Sequence, residues 1–340
     1  MSSSEVTRDG LEGVRPGREA RTWSKGRAAR RPQAHDHPGG SYYGRPIINP
    51  PVWQELDIAG YLFLGGLAGG SSILASAASS TARPSLARRS GLCASAAITV
   101  SLVALIHDLG RPARFLNMLR VFKPSSPMSV GVWLLSAYTP LAYAGSASDL
   151  LRRAPRTGRV AGAGAAVLGA GVCSYTAALI ADTAVPAWHE GHRELPFLFA
   201  GSAASAAGGF ALLAAPLTET GLAARFAVLG TVGELVAEHR MERRLGVVAE
   251  TLHDGKAGKR LKLAKALSVA GVAVTVAAGR RHRGAAAAGG AMLVAASALT
   301  RFGLFAAGMA SAQDPRYTVE PQRARRAAAG SAAAARGRPA

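Results

Sequence analysis

His107 and Asp108 close a long apolar run and are followed by Leu-Gly-Arg-Pro-Ala-Arg114. An imidazole and a carboxyl at the end of such a run exchange protons readily and are costly to hold near lipid, which makes the pair a functional candidate. The same residues also fit a plain structural role, in which Asp108 pairs with Arg111 to cap a helix end. Both readings remain open on sequence alone. Trp53, Glu55, Asp57 and Tyr61 form a second group, at the start of an earlier apolar run. The third lies between Asp182 and Pro196 and contains Trp188, His189, His192 and Arg193, with Asp182 free to pair with Arg111 or Arg114. Tyr61, His107, Asp108, Asp182 and His189 have the chemistry that exchange of electrons and protons with a quinone requires. That chemistry is a donor at each carbonyl oxygen beside a hydrophobic slot, and a path for two protons.

Several other chemistries fit poorly. Of eight histidines only His107 lies close to the interior of an apolar run, so a di-haem site with facing histidines is not expected. Cys93 and Cys173 sit singly inside apolar blocks, without CxxC spacing, and read as small buried hydrophobes. GxSxG, HExxH and GxxxxGK[ST] are absent. The net charge of +20 comes from 40 Lys and Arg that lie mainly in tails and connecting segments, without interleaved stacking aromatics. That placement suits membrane topology and anionic lipid, not nucleic acid.

The elements that carry these groups must be membrane helices. Hydrophobic residues make up 49% of the chain and gather in blocks of the ~20 residues that a bilayer crossing needs. We place spans at 58–80, 91–108, 128–148, 160–182, 195–216, 220–238, 264–279 and 284–311. The expected fold is therefore an all-α integral membrane protein of about eight transmembrane helices. Residues 1–45 and 316–340 are expected to be disordered basic tails. Residues 46–57, with three prolines, form an extended lead-in. The spans are rich in Gly, Ala and Ser, as close helix packing in lipid requires. Trp53 precedes Gly65 by 12 residues and Trp188 precedes Gly201 by 13, each with an aromatic-rich stretch between, which suggests two related halves. The three polar groups then share one end of the molecule, opposite short basic loops. Glu234, Glu238 and Arg301 are charges within late spans, for which structural pairing is favoured over a proton path.

The runs Tyr61-Leu-Phe-Leu-Gly-Gly-Leu-Ala-Gly-Gly70, His107-Asp-Leu-Gly-Arg-Pro with Phe115 and Asn117, Ser126-Pro-Met-Ser-Val-Gly-Val-Trp133, and Leu195-Pro-Phe-Leu-Phe199 resemble, in order and spacing, the NrfD/polysulfide reductase membrane-subunit family. The resemblance spans roughly residues 46–315. It implies two four-helix bundles, over 46–182 and 183–315, in a multi-pass protein of the cell membrane. It also implies a bound menaquinone or ubiquinone and neither haem nor an iron–sulfur cluster in this chain. The implied partners are a ferredoxin-like iron–sulfur subunit and a molybdenum or tungsten catalytic subunit. By motif position, Trp53, Glu55, Tyr61, His107, Asp108, Arg111 and Asp182 are carried over as quinone-site candidates, and His189 joins them on its chemistry. The stretch Trp188–Leu195 suggests a formate-dehydrogenase-like complex. The basic tail and the basic segment from Arg240 to Lys265 depart from the family pattern. A multi-pass transporter of a small solute or ion and a purely structural anchor are the competing readings; the first would need a cavity at mid-membrane.

Overall fold

The computed structural model describes residues 5–7, 10–12, 47–48, 51–109, 113–279 and 281–336. The first 44 residues form a unit of their own, in which β1 (Glu5–Thr7) and β2 (Gly10–Glu12) pair antiparallel. The rest of the expected basic tail lies outside the described residues.

From residue 51 onward every regular element is helical. The first group is α1 (Glu55–Ser80), α2 (Pro84–Asp108), the short α3 (Ala113–Leu119), α4 (Pro127–Leu151) and α5 (Pro155–Ala181). The second is α6 (Pro186–Glu190), α7 (Leu195–Ala214), α8 (Thr220–Leu245), α9 (Glu250–His253), α10 (Gly255–Ala277) and α11 (Arg283–Gln313). Proline opens α2, α4, α5 and α6, where a missing N–H costs nothing. In the first group α1, α2, α4 and α5 pack on one another, and in the second α7, α8, α10 and α11 do so. α1 is the link, because it packs on α7 and α11 as well as on α2 and α5.

Among the described residues, six helices are long and apolar enough to cross a membrane: α1, α2, α5, α7, α8 with its extension to His253, and α11. The expectation of about eight is met in length but not in apolarity. α4 has 25 residues but carries Pro140, Tyr138 and Tyr143, and α10 has 23 but opens with Lys256, Lys259, Arg260, Lys262 and Lys265. Val160, Val167, Leu229 and Phe197 point outward and are more than 70% exposed, as residues facing lipid tails would be.

Two segments outside the expected spans are helical. Between the spans expected to end at 238 and begin at 264, α8 runs on to Leu245, Gly246–Ala249 forms a 3₁₀ turn, α9 follows, and α10 begins at Gly255. Gly246 and Gly255, at φ 57° and 59°, take the left-handed backbone that lets this segment fold back. The C-terminal segment is helical over α12 (Arg316–Arg336) instead of disordered. Arg316 anchors its first turn to Glu320 at 2.9 Å and to Glu250 at 3.1 Å.

At the end opposite the polar groups, basic side chains close the helix termini. Arg283 donates to the carbonyls of Leu212 at 2.7 Å and Ala215 at 2.9 Å, and the Leu86 N–H donates to Glu219 at 2.7 Å. These contacts satisfy terminal backbone groups that lipid could not.

Candidate functional site

The first turn of α1 is the centre of the polar end. Gln54 precedes the helix without a side-chain cap, and the Asp108 carboxylate, at the end of α2, accepts the Gln54 N–H at 3.3 Å. His107 Nδ1 lies 2.7 Å from Asp57 Oδ2. Glu55 and Asp57 fall in the first turn, where the helix dipole favours negative charge. His107 and Asp108 therefore each bind the start of α1 and not each other. The imidazole is mostly exposed, while Asp57 is largely covered. Arg111, the expected partner of Asp108, lies outside the described residues.

The other flank of the same turn faces the second helix group. Glu55 forms an ion pair with Arg260 of α10, and Arg260 also donates to the Phe302 carbonyl of α11 at 3.3 Å. Trp53 stacks on Trp188, with ring centroids 5.7 Å apart and planes at 18°. Trp188 is fully buried, donates its indole N–H to the Leu304 carbonyl at 2.9 Å, and packs on Phe305 at 5.6 Å. The two tryptophans whose spacing suggested related halves thus stack on each other.

Between these groups lies a cavity of about 520 Å³, lined by Trp53, Glu55, Lys256, Arg260, Phe305, Met309 and Tyr317 among others. Its volume is within the range of small-molecule sites, about 300–1,000 Å³. Aromatic and thioether walls suit a flat apolar ring, and Arg260, Lys256 and the Tyr317 phenol offer donors to a carbonyl oxygen. Burial, then the Glu250 and Asp314 carboxylates, push the Tyr317 hydroxyl above its ordinary value against the lowering effect of Arg316, so the phenol keeps its proton at neutral pH.

The structure thus brings Trp53 and Glu55 into one cavity and places Asp57, His107 and Asp108 just across the first turn of α1. Tyr61 lies one turn deeper than Asp57. It is buried in the core, 1% exposed, and its hydroxyl has no hydrogen-bond partner. Asp182 ends α5, exposed, and makes no ion pair among the described residues. His189, in α6, has Nδ1 3.3 Å from the Ala181 carbonyl, and its ring is 6.0 Å from that of His192. Neither lines the cavity. Arg260, Lys256, Phe305, Met309 and Tyr317 were not singled out by sequence reasoning. The available signal was the unusual basic density after the sixth span, which reads as solvated charge until the chain is folded.

A forked contact ties α8 to the start of α7. Arg244 Nε donates to Glu194 Oε1 at 2.8 Å and Nη2 to Oε2 at 2.5 Å. These hydrogen bonds hold the Glu194 carboxyl below its ordinary value, against partial burial. A carboxyl depressed in the folded state stabilises fully above the unfolded pKa and ceases to do so as pH falls through the folded one. Thermal stability is therefore expected to decline below about pH 4, near the unfolded carboxyl pKa. Glu194→Gln should lower it by about 1 kcal/mol at pH 7 and flatten the acid decline. Thermal unfolding of both proteins from pH 7 to pH 3 checks this; parallel declines would remove the role of the pair.

A family model described as polysulphide reductase, NrfD, matches residues 46–249. No curated protein matches the chain. The match covers more than half of the sequence, and the chain belongs to the NrfD family, whose members are integral membrane anchor subunits of quinone-linked oxidoreductase complexes. The family generally binds quinone and associates with an iron–sulfur subunit.

Proposed function

We propose that this NrfD-family chain is the quinone-reactive anchor of a respiratory molybdenum or tungsten oxidoreductase, and that a menaquinone or ubiquinone binds in the cavity beside Trp53. The observation that carries the reading is the cavity itself. Apolar walls and hydrogen-bond donors converge where the two helix groups meet, at the end that carries the lead-in segment. A quinone held there would supply two-electron, two-proton redox chemistry. The protein's own residues supply the rest. Trp53, held flat by Trp188, offers a face for the ring; Arg260 and Tyr317 place N–H and O–H donors in the cavity; and Glu55 keeps the guanidinium in position. Asp57 and His107, 2.7 Å apart across the first turn of α1, are the acid–base groups that would exchange protons with the site. On this reading the eight long helices from α1 to α11 cross the membrane, α4 and α10 included, as two bundles of four.

The same end of the molecule is the proposed dock for a ferredoxin-like iron–sulfur subunit, which would connect to the catalytic subunit of a formate-dehydrogenase-like complex. Arg325 pairs with Glu190 there at 2.7 Å and Arg316 with Glu250, leaving a polar, charge-rich face. Purification of the tagged chain from its native membranes in mild detergent, with iron analysis and mass spectrometry, tests this. An iron-rich assembly containing a ferredoxin-like subunit and a large oxidoreductase is expected. A metal-free chain that purifies alone, under conditions where other respiratory complexes survive, would shift the reading to the transporter.

A further inference from the structure

The end of the protein opposite the cavity beside Trp53 carries more arginine than its helix termini use. Arg89 donates to the Ala214 carbonyl and Arg283 to those of Leu212 and Ala215, which closes helix ends there. Four others, Arg83, Arg88, Arg152 and Arg159, line a cavity of about 500 Å³ between the α1–α2 turn and the α4–α5 connection. Among the described residues none of these four forms an ion pair. The only carboxylate in the wall is Asp149. α5 opens here without an acidic residue in its first turn, so the positive end of its dipole adds to the guanidinium charge.

Basic connections at a membrane face set topology and attract anionic lipid in general. That does not explain the space behind these arginines. An inner chamber of about 420 Å³ shares Ser79, Asp149 and Arg159 with the outer cavity and runs in between α1, α2, α4 and α5. It reaches ~12 Å along α1, from Ser80 to Ser72, whose hydroxyl lies 2.8 Å from that of Tyr138. Ser146 is held in its wall by Ser95 and the Gly91 carbonyl, both at 2.8 Å. The side chains of Ser76 and Ser79 have no hydrogen-bond partner among the described residues. The opening is built into the helix spacing. Gly69 and Gly169 press α1 against α5, but two turns nearer this end a Cβ on Gly162 would meet nothing within 4 Å. In a bundle held by close packing, so deep a hydroxyl-lined space is filled by polar matter, and the arginines at its mouth select the charge.

We infer that the two chambers form one binding site for a phosphorylated polyol, with the phosphate at the arginines and the hydroxyls among the serines. The headgroup of an anionic glycerophospholipid and a soluble polyol phosphate share this chemistry. Guanidinium forks match phosphate oxygens in pairs. Serine hydroxyls both donate and accept, as polyol hydroxyls do. Asp149, at the junction, accepts from a polyol hydroxyl and repels a second anionic group, which favours one phosphate over several. Among the described residues no aromatic side chain lines either chamber, so a nucleobase would find no ring to stack on. The inner volume falls within the range of small-molecule sites. The site does not rest on the quinone reading.

Titration calorimetry of the full chain, in its native complex in mild detergent, tests the site. The probes are glycerol 3-phosphate, short-chain phosphatidylglycerol, short-chain phosphatidylcholine and inorganic phosphate. One equivalent of glycerol 3-phosphate or phosphatidylglycerol is expected to bind at least about tenfold more tightly than phosphatidylcholine or inorganic phosphate. Tighter binding of phosphatidylglycerol than of glycerol 3-phosphate assigns the source to the bilayer, and the reverse assigns it to a soluble ligand. Arg88→Gln combined with Arg159→Gln should weaken the preferred probe about tenfold or more. Gly162→Leu, whose side chain enters open space, should do the same without lowering the thermal midpoint. Absence of binding, inorganic phosphate binding as tightly as either glycerol compound, or wild-type affinity in either variant would overturn the proposal. Arg88 and Arg159 are exposed, so the arginine comparison decides the matter even if Gly162→Leu does not assemble.

Discussion

Replacing Arg260 with Leu is expected to lower quinone-linked electron transfer by the assembled complex about 10- to 100-fold while leaving the complex intact. The loss of a hydrogen bond to or from a charged group is worth ~1.5–3 kcal/mol, and each 1.4 kcal/mol is a factor of ten. Arg260 offers a donor to the cavity and holds Glu55 at its wall. Lysine is not an equivalent replacement, because the guanidinium reaches both Glu55 and the Phe302 carbonyl and an ammonium presents a different geometry. Glu55→Gln, which leaves Arg260 in place, should have the smaller effect. Steady-state quinone reduction or quinol oxidation in membranes, with the amount of complex matched, measures the difference. Wild-type turnover in Arg260→Leu would remove this cavity from the reaction path.

The second large effect is structural. Gly69→Val should prevent accumulation of the folded protein or lower its stability by about 3 kcal/mol or more, the upper end of what overpacking costs. A Cβ on Gly69 would lie 2.4 Å from the Gly169 carbonyl oxygen of α5, and one on Gly70 would lie 2.7 Å from the Ala203 carbonyl oxygen of α7. Consecutive glycines thus press two neighbouring faces of α1, about 100° apart, against backbone, which cannot rotate away as a side chain can. Because α1 joins both helix groups, separating it from α5 also disturbs its contact with α7. Gly60 is the control, since a Cβ there meets nothing within 4 Å. Gly60→Ala should leave the thermal midpoint at or slightly above that of wild type, because alanine is the better helix former and its methyl meets nothing there. Equal behaviour of the two variants would mean that the glycine contacts do not set helix spacing.

Much of this arrangement was legible in the sequence because bilayer physics is restrictive. Long apolar runs must be helices, small residues must mark close contacts, and polar residues at run ends must gather at the membrane faces. The two opening tryptophans stood out by their spacing, and they stack on each other. What composition could not show was which side chain each polar group meets. His107 and Asp108 read naturally as a pair, yet the helix that ends there points each at a different residue of the α1 start. Arg260 and Tyr317 were hidden for another reason. Charge density made one look like loop and alanine-rich repetition made the other look like disordered tail, whereas Gly246 and Gly255 fold the first segment back and Glu250 anchors the second. Glu234 and Arg301 were recognised as intramembrane charges, but whether they touch depends on rotations of α8 and α11 that no spacing rule supplies.

Quinone binding beside Trp53 is the central claim, and tryptophan fluorescence addresses it directly. A short-chain quinone titrated into the purified chain in lipid nanodiscs should quench emission saturably, because Trp53 and Trp188 lie at and behind the cavity wall. Trp53→Phe should remove much of the quenched signal, and Arg260→Leu should weaken the apparent affinity about tenfold or more. Quenching that rises linearly without saturation, or that is identical in Arg260→Leu, would contradict the account.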